Sequence, residues 1–327
     1  MKKRIVSGNR PTGKLHIGHY HGALQNWIEL QDKYDCFFFV ADWHALTTKY
    51  DETENLRKDT EDMVIDWLAA GLNPSKCTIY RQSDLPEVAE LSLYFSMITP
   101  ISWLERCPTY KEMLKEIDYK DISTHGFLGY PILQTADIVL YHGELVPVGE
   151  DQLPHLELGR EIVRRFNYFY GQYFPEPQAV LSHTKRVIGT DGRKMSKSYG
   201  NSINLSDSPK EILKKVQTMI TDPVRIKRTD PGHPEVCLVH GLHKIYSADH
   251  IDEIVKECKS GKIGCVECKK LLAERINESL VDFRAKRAEL EKDPGQVWKI
   301  LEFGAKKVRP IAQETLREIR KRINIDG

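Results

Sequence analysis

The run Cys36-Phe37-Phe38-Phe39-Val40-Ala41 is apolar without alternation, so a strand built from it must be covered on both faces. That pattern belongs to a parallel strand inside a sheet flanked by helices. Its neighbours agree. Arg4-Ile5-Val6-Ser7 reads as a short strand before the turn-rich Gly8-Asn9-Arg10-Pro11-Thr12-Gly13, Cys77-Thr78-Ile79-Tyr80 as a third strand and Leu145-Val146-Pro147-Val148 as a later one. Between them apolar residues fall at helical spacing: Leu24, Trp27, Ile28 and Leu30 after Gly18, then Met63, Ile65, Trp67 and Leu68 in a segment from Thr53 to Leu72 closed by Gly71 and Asn73-Pro74. This β-α-β-α rhythm predicts an α/β, doubly wound parallel sheet, with its ligand beyond the carboxyl ends of the strands. After about residue 205 the periods become helical, with charged helices over roughly 269–291 and 311–323. The expected division is therefore a sheet domain over 1–205 and an all-helical domain over 206–327, its last helix returning to the sheet domain.

A chain of 327 residues suits two domains. Lysine and arginine number 48 against 47 acidic residues, which excludes binding to nucleic acid driven by bulk charge but not a local basic face. No apolar run approaches the roughly 20 residues of a membrane span, and Met1-Lys2-Lys3-Arg4 has no apolar stretch behind it, so no signal peptide is expected. Seven cysteines without an export signal argue against a disulfide framework. The expected setting is cytoplasmic, with neither a membrane nor DNA as partner.

Two segments carry chemistry. Lys14-Leu15-His16-Ile17-Gly18-His19 follows a strand and a turn and opens a helix, which aims two imidazoles past a helix N-terminus where anions are favoured. Gly18 between them lets a flat base approach the backbone. Asp191-Gly192-Arg193-Lys194-Met195-Ser196-Lys197-Ser198-Tyr199-Gly200-Asn201 puts lysines three apart on a loop, a cationic clamp suited to pyrophosphate. Taken singly, each is more commonly a surface feature. Together, in this order along a doubly wound domain, they point to nucleotide chemistry.

The chain here resembles the class I aminoacyl-tRNA synthetases, whose His-Ile-Gly-His and Lys-Met-Ser-Lys-Ser signatures match residues 16–19 and 194–198. Related adenylyltransferases lack the complete lysine loop. Within that class, Ser7 to Gly13, Ala41-Asp42-Trp43-His44-Ala45-Leu46-Thr47, Tyr130-Pro131-Ile132-Leu133-Gln134-Thr135-Ala136-Asp137-Ile138 and Val146-Pro147-Val148-Gly149-Glu150-Asp151-Gln152 are similar to tryptophanyl-tRNA synthetases. The resemblance covers essentially the whole chain. It implies a Rossmann-like catalytic domain, ATP with Mg2+, L-tryptophan and tRNA(Trp) as partners, and a homodimer formed through an insertion over about 100–124. It also implies an anticodon-binding role for the helical domain. By the same resemblance His16, His19, Lys194 and Lys197 would be catalytic. Arg10, Pro11, Thr12, Gly18, His19, Gly149, Glu150, Asp151, Val187 and Ile188, with Lys194, Met195, Ser196, Lys197 and Ser198, would hold ATP. Asp137 would accept the indole N–H. Tyr130, Gln134 and Gln152 would hold the ammonium and carboxylate, with His44, Val146 and Val148 completing the pocket. The rivals are a tyrosyl-tRNA synthetase, whose residue type Gln134 matches, and a non-catalytic RNA-binding relative.

Cys36, Cys77 and Cys107 read as small core residues. Cys237, Cys258, Cys265 and Cys268 form a C-x20-C-x6-C-x2-C set, a thiolate pattern for zinc or an iron–sulfur cluster. The resemblance is to the subset of tryptophanyl-tRNA synthetases that hold a 4Fe-4S cluster, with Zn2+ as the alternative.

Overall fold

The computed structural model describes residues 2–108, 110–111, 114, 122–181 and 187–325. The chain forms two compact units, one of residues 1–13, 25–183 and 293–327, the other of residues 14–24 and 184–292. The division differs from a single boundary at 205 in that residues 14–24 and 184–205 belong to the helical unit; residues from 293 onward, which carry the last helix, belong to the sheet unit.

In the sheet unit, β1 (Arg4–Asn9), β2 (Asp35–Val40), β3 (Thr78–Arg81), β4 (Leu145–Val148) and β5 (Gln178–Leu181) form one all-parallel sheet in the order β3-β2-β1-β4-β5. The order reverses between β1 and β4, which places the switch point there. In β2, Cys36 to Val40 are buried, as the unalternated run predicts. The strand β5 has no counterpart in the sequence reading. Its burial pattern is that of an edge strand, with half-buried Ala179 and Val180 between exposed ends, so it carries no apolar run to read.

The chain ends in a 28-residue helix, Gly295–Arg322, which runs through Pro310. The sequence reading starts this helix only after the proline. Pro310 faces solvent, while Val297, Leu301, Ala305, Val308, Ala312, Leu316 and Ile319 continue one buried stripe across it. Burial of that stripe outweighs the hydrogen bond that proline removes. The helix packs on β3, the edge strand.

In the helical unit, the helix expected over 269–291 is two, Cys265–Ser279 and Val281–Leu290, broken at Leu280. The run after Gly18 is likewise not one α-helix: a π turn over Tyr20–Leu24 separates Ile17–His19 from Gln25–Leu30. Of the expected insertion at 100–124, the helix Ile101–Glu105 is described, and residues 109, 112–113 and 115–121 lie outside the described residues. No described helix is long and apolar enough to cross a membrane.

Candidate active site

The histidine and lysine motifs, some 180 residues apart in sequence, belong to the same unit. Ile17 N–H donates to the Ile203 carbonyl at 2.9 Å, Leu205 N–H to the Leu15 carbonyl at 2.9 Å, and His16 and Asn204 form an antiparallel bridge. This short ladder fixes the histidines against the segment that follows the lysine loop. The loop is framed by buried Asn201. Its Oδ1 accepts the Ser196 N–H at 2.8 Å, and its Nδ2 donates to Asp191 Oδ1 at 2.7 Å and the Lys194 carbonyl at 3.1 Å. A Cβ on Gly189 would lie 2.3 Å from that Nδ2, so this position needs glycine. Ile188 bridges Lys194 across the loop, and Met195 is buried while Lys194 is exposed. The methionine thus anchors a loop on which Lys194 is exposed and Lys197 half-buried. Ser198 lies in the single turn Lys197–Tyr199, and Val187, just before Ile188, is buried.

His16 and His19 cap each other. Nδ1 of His16 accepts the His19 N–H at 3.2 Å, Nδ1 of His19 accepts the His16 N–H at 3.4 Å, and the rings stack with centroids 3.6 Å apart. Because each Nδ1 accepts, each neutral ring carries its proton on Nε2, the atom left to donate. Burial, then the charge of Lys197, pushes His16 down to about 4. Burial, then His16 and the two lysines, holds His19 well below the ordinary histidine range. Both imidazoles are therefore neutral donors at pH 7, in the field of the same two ammonium groups. A Cβ on Gly18 would stand 2.9 Å from His16 Nδ1, so the glycine makes the stack possible.

The sheet unit holds the second constellation. Asp137, on the helix Tyr130–Val139, is 2% exposed. Both its oxygens accept from Gln82 Nε2 at 2.9 Å, and Oδ2 lies 2.8 Å from His44 Nε2. Burial raises its pKa, against the His44 and Gln82 hydrogen bonds that lower it. Gln82 follows β3 and His44 follows β2, so the carboxylate is gathered at the carboxyl edge of the sheet. Asp42 starts the helix Asp42–Lys49 and accepts the N–H groups of Trp43 and Ser83, each at 3.1 Å, which locks the two segments together.

Tyr130 hydrogen-bonds His155 and lies 3.5 Å from the Cys107 sulfur. Burial would raise the Cys107 thiol, but the bonds to His155 and Tyr130 outweigh it and bring it to about 7. Val148 and Gln134 are half-buried, whereas Val146 sits in the sheet core with Val6. Gly149 caps the turn Glu150–Gln152 that opens the long helix Leu153–Tyr170 at the end of β4. Arg10, Pro11, Thr12, Gly149, Glu150 and Asp151 belong to the sheet unit, while the remaining candidate nucleotide residues belong to the other.

The sequence family described as tRNA synthetases class I (W and Y) matches residues 1–281. The chain belongs to this family. Among curated relatives it is 51% identical to the tryptophan–tRNA ligase of Thermotoga maritima, over 98% of this chain and 99% of that one. It is 44% identical to the tryptophan–tRNA ligase of Aquifex aeolicus, over 98% and 100%. The fold matches the crystal structure of tryptophanyl-tRNA synthetase from Campylobacter jejuni complexed with ADP and tryptophan, with a TM-score of 0.88, 35% identity and coverage of 98% and 99%.

In the helical unit of this synthetase Cys237, Cys258, Cys265 and Cys268 are free thiols. Burial, reinforced by the neighbouring Cys237, Cys258 and Cys265, pushes the Cys268 thiol up to about 12. Arg225 reaches in, its Nη1 4.0 Å from Cys258 Sγ and 3.9 Å from Cys265 Sγ. Among the described residues, no three Cys, His, Asp or Glu side chains are close enough to hold a metal ion. Cys268 instead contacts His243 Nε2 at 3.4 Å.

Sequence reasoning misses Gln82, His155 and Asn204. None belongs to a motif, and Gln82 is marked only by following a strand, where ligands of such sheets collect.

Proposed function

We propose that this synthetase activates L-tryptophan with ATP as tryptophanyl-adenylate and transfers the amino acid to the terminal ribose of tRNA(Trp). The observation that carries the reading is the buried, triply hydrogen-bonded Asp137 carboxylate at the carboxyl edge of a parallel sheet. It offers an acceptor to the single donor of an indole, and phenylalanine would leave it unmatched. Tyr130, Gln134 and Gln152 hold the ammonium and carboxylate end, His44 and Val148 complete the pocket, and Val146 backs it from the sheet core. The tryptophan–tRNA ligases that match this chain end to end support the same assignment.

The carboxylate of tryptophan attacks the α-phosphorus of ATP in line, and charge flows to pyrophosphate, so catalysis is positioning plus electrostatic stabilisation. Arg10, Pro11, Thr12, Gly18 and His19 surround the nucleotide. Gly149, Glu150 and Asp151 meet the ribose, and Val187 and Ile188 offer backbone groups to adenine. The Nε2–H groups of His16 and His19 donate to phosphate oxygens. Lys194 and Lys197, with Met195, Ser196 and Ser198 shaping their loop, take the charge of the departing group. ATP enters as its Mg2+ complex. Pyrophosphate exchange run separately with tryptophan, tyrosine and phenylalanine tests the assignment. Exchange with tryptophan alone is expected; preference for tyrosine, or no exchange, overturns it.

The spacing and chemistry of Cys237, Cys258, Cys265 and Cys268, four soft thiols in one unit with Arg225 beside two of them to offset thiolate charge, support a site for a 4Fe-4S cluster, or Zn2+, in an anticodon-binding domain. A cluster or ion there would tie the helix Cys265–Ser279 to the segments around Cys237 and Cys258. The exposed apolar side chains Leu93, Met97 and Ile101 support a homodimer built beside the insertion. The setting is cytoplasmic. One anaerobic preparation checks both proposals: a brown, dimeric protein by absorbance and light scattering is expected. A colourless, metal-free protein or a monomer at micromolar concentration refutes the corresponding part.

A further inference from the structure

We infer that Gln82 is a positioning residue for amino-acid selection, making the Asp137 carboxylate a pure acceptor aimed at an indole N–H. The inference rests on the tryptophan reading above and goes one step behind it. Gln82 is fully buried, and both ends of its amide are taken. Oε1 accepts the Trp43 N–H at 3.1 Å, and Nε2 donates to both Asp137 oxygens at 2.9 Å. The Trp43 N–H can only donate, so it fixes which end of the amide is which. Nε2 must therefore face the carboxylate, and no rotation of the amide can present an acceptor there.

The consequence is a polarity rule. Gln82 and His44 point their donors at Asp137 and keep none for a ligand, while the carboxylate retains acceptor capacity beyond the bonds it makes. A ligand atom seated against Asp137 does best if it donates one hydrogen bond and needs none in return. An indole N–H meets that condition. A phenol oxygen donates one bond but leaves its lone pairs unanswered by this trio, and a sulfur in place of the N–H donates nothing. Gln82 thus contributes to selection without touching the amino acid.

The test compares tryptophan with its benzothienyl analogue, in which sulfur replaces the indole N–H, in pyrophosphate exchange at pH 8. The wild-type enzyme should prefer tryptophan by at least about a hundredfold in kcat/KM, as expected where a buried acceptor would go unpaired. Gln82→Met, similar in length but without a donor, should cut that ratio by at least about tenfold, chiefly through KM for tryptophan. A merely structural loss would depress both substrates alike and leave the ratio unchanged, which would overturn the inference. Gln82→Glu keeps the acceptor for the Trp43 N–H and covers the case in which the methionine variant does not fold; its ratio should fall in the same way. A wild-type enzyme that fails to prefer tryptophan would sink the tryptophan reading itself, a different outcome from an unchanged ratio in the variants.

Discussion

Lys197→Ala is expected to lower kcat for tryptophan-dependent pyrophosphate exchange by about 10²–10³-fold while KM for tryptophan stays within about twofold. The asymmetry follows from where the charge sits. Lys197 starts the single turn Lys197–Tyr199, and its charge adds to the burial that holds His16 and His19 below the ordinary histidine range. The tryptophan constellation around Asp137 belongs to the other unit. An ammonium placed for a departing pyrophosphate gains most as charge moves onto that group, so its removal should be felt in the transition state. Equal losses in kcat and tryptophan affinity would mean that Lys197 organises the site rather than stabilising the transition state. A kcat within about threefold of wild type would remove the lysine clamp from the mechanism altogether.

How far the sequence discloses this site depends on how local each signal is. The run Cys36 to Ala41 announces a buried parallel strand because burial on both faces leaves no polar position to confuse it. His16 and His19 are legible because three-residue spacing at a helix start needs only the local chain. Their mutual capping is not, because it depends on ring orientation, and neither is the bridge from His16 to Asn204, which joins segments far apart in sequence. Asp137 stands out as a carboxylate among Ala136, Ile138 and Val139, yet Gln82 does not, because nothing around it says that its amide will meet a carboxylate 55 residues later. Pro310 misleads for the opposite reason: a strong local rule yields to an apolar stripe that runs past it on both sides. The cysteine spacing is legible as a donor set, whereas the approach of Arg225 to two of the four sulfurs is set by tertiary packing.

That same stripe sets the second large effect. Gly304→Ala is expected to destabilise the sheet unit by about 3 kcal/mol, or roughly 6–12 °C in Tm. A Cβ at this position would fall 1.9 Å from the Ile79 carbonyl oxygen, 2.7 Å from its carbon and 3.3 Å from Tyr80 Cβ. The obstruction is backbone in the middle of β3, so no rotamer change relieves it and the helix Gly295–Arg322 must move outward. Its polar anchors are weak by comparison. The bond from Trp298 Nε1 to Glu61 at 3.1 Å and the ion pair of Arg320 with Glu90 at 2.6 Å are partly exposed, each worth about 1 kcal/mol or less. Displacement should also reach the pocket. Arg309 on this helix donates to the Asp84 carbonyl, and β3 continues directly into Gln82, whose amide holds Asp137. KM for tryptophan should therefore rise several-fold in the folded fraction. Gly241→Ala supplies the contrast: it lies inside the helix Leu238–Tyr246, where the nearest atom to a new Cβ is 3.8 Å away. That change should be neutral or stabilising by up to about 1 kcal/mol, since alanine is the better helix former. Thermal melts of both variants decide the matter, because a Gly304→Ala protein melting with wild type would mean that the terminal helix does not rest on β3 at this glycine.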